Sequence, residues 1–215
     1  MEFPRVIYIS NGSLGLEIRD RFSHMKQSSV CVITQDALPD WSLLPHYDLG
    51  INFLGTHKIP TEQVGDGKVW CNFHPAPLPE FKGRNLAFHA IMNGAKQFGA
   101  TLHWMDEDYD TGDLIDVRRF DILPQHNAGD LVGKSHQLLK EMFLEWIPKI
   151  LAGERPGTPQ VKGWGNYYQK NSIDEEIYIE PLQKRRVKAL TVHPRFYSHI
   201  MIDGRKYKLV PEELE

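Results

Sequence analysis

Short apolar runs alternate with amphipathic stretches along the first third of the chain. Continuous apolar runs at residues 5–10 and 29–34 are typical of strands that are buried on both faces of a parallel sheet. Between them, apolar residues recur at helical spacing over residues 14–25. Residues 47–54 and 69–74 predict two further strands. This succession of elements indicates an α/β fold with a mostly parallel sheet.

Proline and glycine punctuate the middle of the chain. The sequence HPAPLPE carries prolines at alternate positions, which excludes a helix directly after the strand at 69–74 and favours an extended segment. Residues 82–84, Lys-Gly-Arg, indicate a basic turn. Asn85 is then the predicted N-cap of a helix over residues 86–93, which ends at Gly94.

Two more strands and a long helix follow. The strands predicted at residues 100–105 and 114–120 can pair antiparallel around an acidic loop, MDEDYDTGD. From residue 128 to 152, apolar side chains three or four positions apart predict an amphipathic helix. Pro148 lies inside this helix, and we expect it to kink or break the last turn.

The character of the sequence changes after residue 153. Residues 153–171 are rich in glycine, proline and aromatic residues, which indicates a boundary loop. Residues 180–190 predict a short basic helix, and Asp203-Gly204 between two strand-like runs predicts a β-hairpin within 198–210.

Together these patterns predict a Rossmann-like, mostly parallel sheet flanked by helices, with a small helix and β-hairpin appendage. The predicted units are a main domain over residues 1–153 and a small C-terminal region over residues 154–215. An isolated hairpin is marginally stable in water, so we expect it to dock on the core or on a second subunit. A homodimer formed through the C-terminal region is therefore a hypothesis.

Composition excludes several classes of function. The 215 residues carry 25 Lys and Arg against 28 Asp and Glu, a net charge of −3, which disfavours nucleic acid as a general partner. No apolar run reaches the length of a membrane span, and the first residues lack the features of a signal peptide. Cys31 and Cys71 fall inside predicted strands. This position indicates buried thiols in a protein of a reducing compartment. We expect a cytoplasmic protein that does not bind a membrane.

Asn72 and His74 are the first candidates for chemistry. Two positions apart on one strand, they leave it on the same side. His74 is open to three interpretations: a base, a metal ligand or a structural histidine. No His or Cys spacing typical of zinc and no G-x-S-x-G turn occurs, so we expect neither a metal nor a serine hydrolase. Carboxylates in the acidic loop are more often solvated than functional, but Asp110 precedes a tight Thr-Gly-Asp turn that can direct it inward.

Two segments give a specific resemblance. CNFHPAPLPEFKG and MDEDYDTGDLI resemble the paired signatures of the formyltransferases that use N10-formyltetrahydrofolate, and the similarity spans about residues 47–153. In that family the Asn-x-His pair and the aspartate of the Asp-(Thr/Ala)-Gly turn form the catalytic set. The resemblance therefore implies that Asn72, His74 and Asp110 are catalytic.

The resemblance also implies the co-substrate. N10-formyltetrahydrofolate would lie against the loop after the third strand and against the acidic loop, with no metal required. The folate-binding residues that the resemblance implies are Leu54, Gly55, Ile59, Trp104, Asp106 and Asp113.

The carboxyl-terminal sequence suggests the accepting amine. GNYYQKNSIDEEIYIEPL and the segments after it resemble the tail of the sugar-nucleotide N-formyltransferases, including those that act on a dTDP- or GDP-linked 4-amino-4,6-dideoxyhexose. Such a product would feed a surface polysaccharide such as an O-antigen. The substrate-binding residues expected on this basis are Lys82, Arg84, Tyr167 and Tyr168.

Two alternatives stay open. The chain has nearly the length of the glycinamide ribonucleotide formyltransferases of purine synthesis, although SNGSL after the first strand only partly matches their phosphate turn. A catalytically idle module that binds sugar nucleotide or folate is the second alternative, which the intact Asn72, His74 and Asp110 disfavour. A methionyl-tRNA enzyme would need a larger, basic C-terminal domain to hold tRNA.

Overall fold

A six-stranded mixed sheet forms the centre of the computed structural model. The structure describes residues 5–10, 12–23, 29–34, 41, 46–55, 58–64, 68–170, 172, 199–202 and 205–208. In chain order the elements are β1 (Arg5–Ser10), α1 (Gly12–Ser23), β2 (Ser29–Thr34), β3 (Leu49–Phe53), β4 (Val69–His74), β5 (Phe81–Gly83), α2 (Leu86–Met92), β6 (Gln97–Trp104), β7 (Leu114–Asp121), α3 (Ala128–Leu151), β8 (Asn166–Tyr168), β9 (His199–Ile202) and β10 (Arg205–Lys208).

The strand order of the large sheet is β2-β1-β3-β4-β6-β7. The first four strands run parallel, whereas β6 runs antiparallel to β4 and β7 antiparallel to β6. Every residue of β3 is buried, as the apolar character of its sequence requires. These findings confirm the predicted fold class, a mostly parallel sheet flanked by helices.

An aromatic cluster joins the sheet to α3. The ring centroids of Phe53 and Phe73 are 5.1 Å apart, and that of Phe143 on α3 lies 5.4 Å from Phe73. Tyr8 completes the cluster with its ring edge-on to Phe143 at 6.1 Å. Such buried rings contribute most of the apolar area in a core of this kind. The cluster therefore fixes β1, β3 and β4 under one helix.

The predicted break at Pro148 is wrong. Helix α3 continues to Leu151, past the proline. A proline near a helix end removes only one backbone hydrogen bond, and Ile147 and Ile150 are fully buried in the core on either side of it. Packing of these two side chains outweighs the missing bond and holds the last turn in place.

The predicted basic turn at residues 82–84 is also wrong. Lys82 and Gly83 lie in β5, which pairs parallel with β8, a strand inside the predicted boundary loop. A Cβ at Gly165 would lie only 1.5 Å from the carbonyl oxygen of Pro79, so glycine there permits the close approach that starts this pairing. More than 80 positions separate the two strands, and a local pattern cannot reveal such a pairing. The division of the chain at residue 153 stays a prediction.

Asn85 occupies the predicted N-cap position of α2 without capping it. Its backbone is left-handed, with φ at +58°, and its side chain makes no cap hydrogen bond. Instead Asn85 Nδ2 donates to the carbonyl oxygen of Lys170 at 2.9 Å. The side chain thus ties the start of α2 to the chain that follows β8.

The C-terminal strands agree with the predicted hairpin. β9 and β10 are antiparallel, with Ile202 opposite Arg205, so two residues connect them. The turn residues Asp203 and Gly204, the predicted helix at 180–190 and the side chain of Cys31 lie outside the described residues. Cys71 is buried as predicted, and burial raises the pKa of its thiol to about 12. None of the helices in the described ranges combines the length and the hydropathy that a membrane crossing needs.

Thr101 on β6 holds the proline-rich segment that follows β4. The Thr101 hydroxyl is fully buried; it donates to the carbonyl oxygen of Ala76 at 2.8 Å and accepts from the N–H of Leu78 at 2.9 Å. Both backbone groups belong to a segment that has few other partners because of its prolines. The hydroxyl thereby fixes the path from His74 to Phe81.

We predict that Thr101→Val lowers the free energy of unfolding by about 2–3 kcal/mol, because it leaves a buried N–H and a buried carbonyl without partners. Urea unfolding at neutral pH measures the change. Thr101→Ser, which keeps the hydroxyl, is the matched control and should lose clearly less. Equal losses in the two variants would show that the methyl group, not the hydrogen bonds, carries the effect.

Candidate active site

A cavity of about 400 Å³ opens where β3 and β4 end. Ligands of α/β sheets bind at this carboxyl edge. Asn52 on β3 lies opposite Asn72 on β4, and Asn72 lies opposite His103 on β6. The sheet register therefore brings three polar side chains side by side on the cavity wall. All three are buried.

His103 has a fixed pattern of hydrogen bonds. Its Nδ1 lies 2.7 Å from the carbonyl oxygen of Trp104, which can only accept, so Nδ1 carries a proton. Burial lowers the pKa of His103 to about 4, against the opposing influence of the Asp110 carboxylate. At neutral pH the ring is therefore uncharged, and its Nε2 is an acceptor.

The orientation of Asn72 follows from that acceptor. Asn72 Nδ2 lies 3.0 Å from His103 Nε2 and must be the donor of this bond. The Asn72 carbonyl oxygen then faces Asn52, whose Nδ2 donates to it at 3.0 Å. One N–H of the Asn72 amide is used in these contacts, and the second is left for a ligand.

A backbone carbonyl holds the His74 ring at the nitrogen that faces away from Asp110. Its Nε2 lies 2.8 Å from the carbonyl oxygen of Phe81, so this nitrogen carries a proton. Its Nδ1 lies 3.5 Å from Asp110 Oδ1. The carbonyl of Phe81 thus orients the ring, and Nδ1 is the nitrogen left for chemistry.

Asp110 is a nearly buried carboxylate with a prepared environment. Its backbone is left-handed, with φ at +58°, and its Oδ2 accepts from the N–H of Gly83 at 2.8 Å. Burial raises the pKa of Asp110, but the neighbouring His74 and His103 and the Gly83 N–H together outweigh burial and hold that pKa below its usual value. The group is therefore ionised at neutral pH, with Oδ1 facing both imidazoles.

The acidic loop is braced by a residue from the segment after α3. Gln160 Nε2 donates to the carbonyl oxygens of Asp110 and Gly112, at 3.1 and 2.7 Å. A Cβ at Gly112 would lie 2.1 Å from the carbonyl oxygen of Trp104, so this position requires glycine. These contacts press the loop against the end of β6 and direct Asp110 into the cavity.

Most of the predicted site residues line this one cavity. Beside the Asn72, His74 and Asp110 cluster, the wall includes six other predicted residues: Leu54, Gly55, Ile59, Arg84, Asp106 and Tyr167. Their proposed roles in binding remain predictions. Asn72, His74 and Asp110 come from two distant parts of the chain, and the structure brings them to one wall.

Four predicted binding residues do not line the cavity. Lys82 is buried in β5, and Asp113 lies outside the wall. Trp104 points to the segment after α3, where its Nε1 donates to the carbonyl oxygen of Pro156 at 2.6 Å. Tyr168 stacks on His89, with ring centroids 3.9 Å apart, and its hydroxyl accepts from Asn93 Nδ2, directly after α2. Tyr168 thus packs against the region of α2, and its predicted role in substrate binding stays a prediction.

Sequence reasoning missed several residues of the wall: Asn52, Lys58, His103, Met105, Tyr109 and Lys170. His103 has no spacing typical of a zinc ligand, so the sequence does not single it out. A histidine near the end of a predicted strand was the one local signal, because its place beside Asn72 depends on sheet register. Within the described ranges, no group of three or more His, Cys, Asp or Glu side chains is suited to hold a metal ion.

Comparisons with known proteins point to one family. Residues 59–147 match the family model described as formyl transferase. The methionyl-tRNA formyltransferase of Levilactobacillus brevis is 29% identical over 154 residues, which are 70% of this chain and 49% of that protein. The chain thus spans about half the length of the curated relatives it matches.

Solved structures share the fold over nearly the whole chain. A 4-N formyltransferase from Francisella tularensis superposes with a TM-score of 0.83 at 20% identity, covering 99% of this chain and 98% of that one. The N-formyltransferase from Helicobacter canadensis, solved with folinic acid and dTDP-3-aminofucose, gives 0.75 at 18% identity, covering 94% and 86%. These likenesses establish the fold.

We predict that His103 makes the stability of the protein depend on pH. Its folded pKa of about 4 lies below the ordinary 6.5. As the pH falls from 7 to 5, the His103 side chain therefore takes up a proton in the unfolded chain but not in the folded chain. The free energy of unfolding should drop by about 2 kcal/mol over that interval from this group alone.

Urea unfolding at pH 7 and pH 5 measures this loss, with His103→Gln as the comparison. The other histidines contribute equally to both proteins, so the difference between their losses isolates His103. The same loss in both proteins would contradict the assignment.

Proposed function

We propose, from the match of residues 59–147 to the formyl transferase family model, that this protein transfers a formyl group from N10-formyltetrahydrofolate to the amino group of a nucleotide-linked amino sugar. One observation carries the proposal. Asn72, His74 and Asp110 converge on one cavity wall, with Asp110 Oδ1 3.5 Å from His74 Nδ1. These are the three groups that the transfer requires.

The reaction begins when the amine attacks the formyl carbon and negative charge develops on the formyl oxygen. The free N–H of Asn72 is available to donate to this oxygen, and a protonated His74 Nδ1 beside the Asp110 carboxylate is a second donor. Donors set in advance in a buried site stabilise such a charge more than water does. Asn72 and His74 are therefore assigned to the developing oxyanion.

Proton transfer completes the exchange. The attacking nitrogen loses one proton as its bond to the formyl carbon forms, and the leaving N10 of tetrahydrofolate gains one when its bond to that carbon breaks. Asp110, ionised at neutral pH, is placed to accept the first proton directly or through water, and His74 is placed to pass one on. The remaining catalytic contribution comes from holding both substrates together.

Two parts of the cavity wall suit the two substrates. One part of the wall is apolar, which suits the flat pterin of folate: Leu54 directly follows β3, Ile59 and Val64 lie between β3 and β4, and Met105 begins the acidic loop. Arg84 and Lys170 bring positive charge, and Tyr167 is half exposed at the rim, which suits a diphosphate and a base. The Helicobacter canadensis relative holds folinic acid and a dTDP-sugar together, in support of this pairing.

The solved structures favour a sugar nucleotide as the substrate. The fold of a 4-N formyltransferase superposes on 99% of this chain, and the Helicobacter canadensis relative was solved with a dTDP-linked amino sugar. A dTDP- or GDP-linked 4-amino-4,6-dideoxyhexose is the proposed substrate. A surface polysaccharide as the destination, a cytoplasmic location and a homodimer through the C-terminal region belong to the same proposal.

An assay with N10-formyltetrahydrofolate tests the proposal. The protein is incubated with dTDP- and GDP-linked 4-amino sugars, glycinamide ribonucleotide and methionyl-tRNA in parallel, and the release of tetrahydrofolate and the mass of the formylated product are followed. We expect a mass gain of one formyl group on a sugar nucleotide alone. Formylation of glycinamide ribonucleotide or of methionyl-tRNA instead would overturn the substrate assignment.

We predict that Asp110→Asn lowers kcat about 100-fold or more while leaving the melting temperature nearly unchanged, because asparagine keeps the acceptor for the Gly83 N–H but cannot take a proton. Steady-state kinetics and a thermal melt measure the two effects. Asp121→Asn, which removes a carboxylate from an exposed position of β7, is the control and should keep full activity. A folded Asp110→Asn protein with normal turnover would remove Asp110 from the mechanism.

A further inference from the structure

Asn52 is a buried polar residue that the proposed mechanism does not use. It is 7% exposed and lies on the cavity wall next to Asn72. Its Nδ2 donates to Asn72 Oδ1, while its own Oδ1 finds no donor among the described residues. A buried carboxamide whose oxygen has no donor lowers the stability of the fold. This cost points to a function for the hydrogen bond that Asn52 donates to Asn72.

The bonds of this row all run in one direction. The Trp104 carbonyl requires the proton on His103 Nδ1; His103 Nε2 then accepts from Asn72 Nδ2, and Asn72 Oδ1 accepts from Asn52 Nδ2. Reversing the Asn72 amide would set its oxygen against the lone pair of His103 and its N–H groups against those of Asn52. Asn72 is therefore held from both sides in a single orientation.

Gly55 makes room for this arrangement. A Cβ at position 55 would lie 1.8 Å from Asn52 Oδ1 and 2.9 Å from its Cγ, so any other residue there displaces the Asn52 carboxamide. The backbone of Gly55 is not among those with positive φ, and alanine is therefore compatible with its conformation. Space for Asn52, not backbone freedom, is what demands glycine at this position.

We propose that Asn52, given room by Gly55, is a positioning residue that holds the Asn72 amide with its second N–H directed at the formyl oxygen. This inference rests on the proposed function for its effect on turnover. It assigns to Gly55 a role beyond the folate contact predicted from the sequence. A donor that is already oriented costs no reorganisation when the oxyanion forms, so loss of Asn52 acts on the chemical step.

The test compares Asn52→Ala, Gly55→Ala and the double variant in the formyl-transfer assay. We expect Asn52→Ala to lower kcat about tenfold, the equivalent of one hydrogen bond, with little change in KM for either substrate. Gly55→Ala should lower kcat similarly because it displaces the carboxamide. Gly133→Ala, on α3 where a Cβ meets nothing within 4 Å, is the matched glycine control and should behave as the wild type.

The double variant is the decisive arm. Once Asn52 is alanine, a methyl group at position 55 has nothing to displace, so the double variant should be no slower than Asn52→Ala alone. A multiplicative loss of kcat would show that the two residues act independently and would overturn the proposal. So would a normal kcat for Asn52→Ala with a lowered melting temperature, the signature of a merely structural role.

A second measurement does not need turnover, so a failure of the proposed function stays distinguishable. The side-chain amide of Asn72 is identified in a ¹⁵N NMR spectrum by its loss in Asn72→Asp. In the wild type we expect its protons to exchange slowly with water, and in Asn52→Ala and Gly55→Ala to exchange at least tenfold faster. Unchanged exchange in both variants would contradict the positioning role, whatever the substrate of the enzyme is.

Discussion

The hydrogen bond from His103 Nδ1 to the carbonyl oxygen of Trp104 fixes the direction of the hydrogen bonds that join His103, Asn72 and Asn52 on the cavity wall. A backbone carbonyl can only accept, so this one bond decides which nitrogen of the ring carries the proton. The neutral ring then accepts from Asn72, and Asn72 accepts from Asn52. Burial keeps the ring neutral by lowering its pKa to about 4. A single backbone group thereby sets the orientation of three side chains.

A second set of contacts holds the other side of the same cavity, which carries His74 and Asp110. Thr101 fixes the proline-rich segment, which places the Phe81 carbonyl against His74 Nε2. Phe81 is the first residue of β5, and the N–H of Gly83 at the end of β5 donates to Asp110 Oδ2. The pairing of β5 with β8 and the two bonds from Gln160 then fix the acidic loop. The segment after α3 therefore belongs structurally to the site, although its sequence resembles a loop.

How far the sequence predicts this site depends on the range of the interaction. The alternation of side chains along a strand is local, and it placed Asn72 and His74 on one side. The tight turn after Asp110 is local too. Asn52 and His103 become neighbours of Asn72 only through sheet register, which no single stretch encodes. The pairing of β5 with β8 is equally long-range, so the sequence does not reveal that it places Lys82 and Tyr168 away from the cavity wall.

The tautomer of His103 is the most direct test of this account, because the orientations of Asn72 and Asn52 depend on it. In a long-range ¹H–¹⁵N NMR spectrum of the ¹⁵N-labelled protein at pH 7, with His103→Gln to identify the signals, the account predicts a neutral ring protonated at Nδ1 and bare at Nε2. A ring protonated at Nε2, or at both nitrogens, would contradict it, since Asn72 would then have to turn its oxygen toward His103.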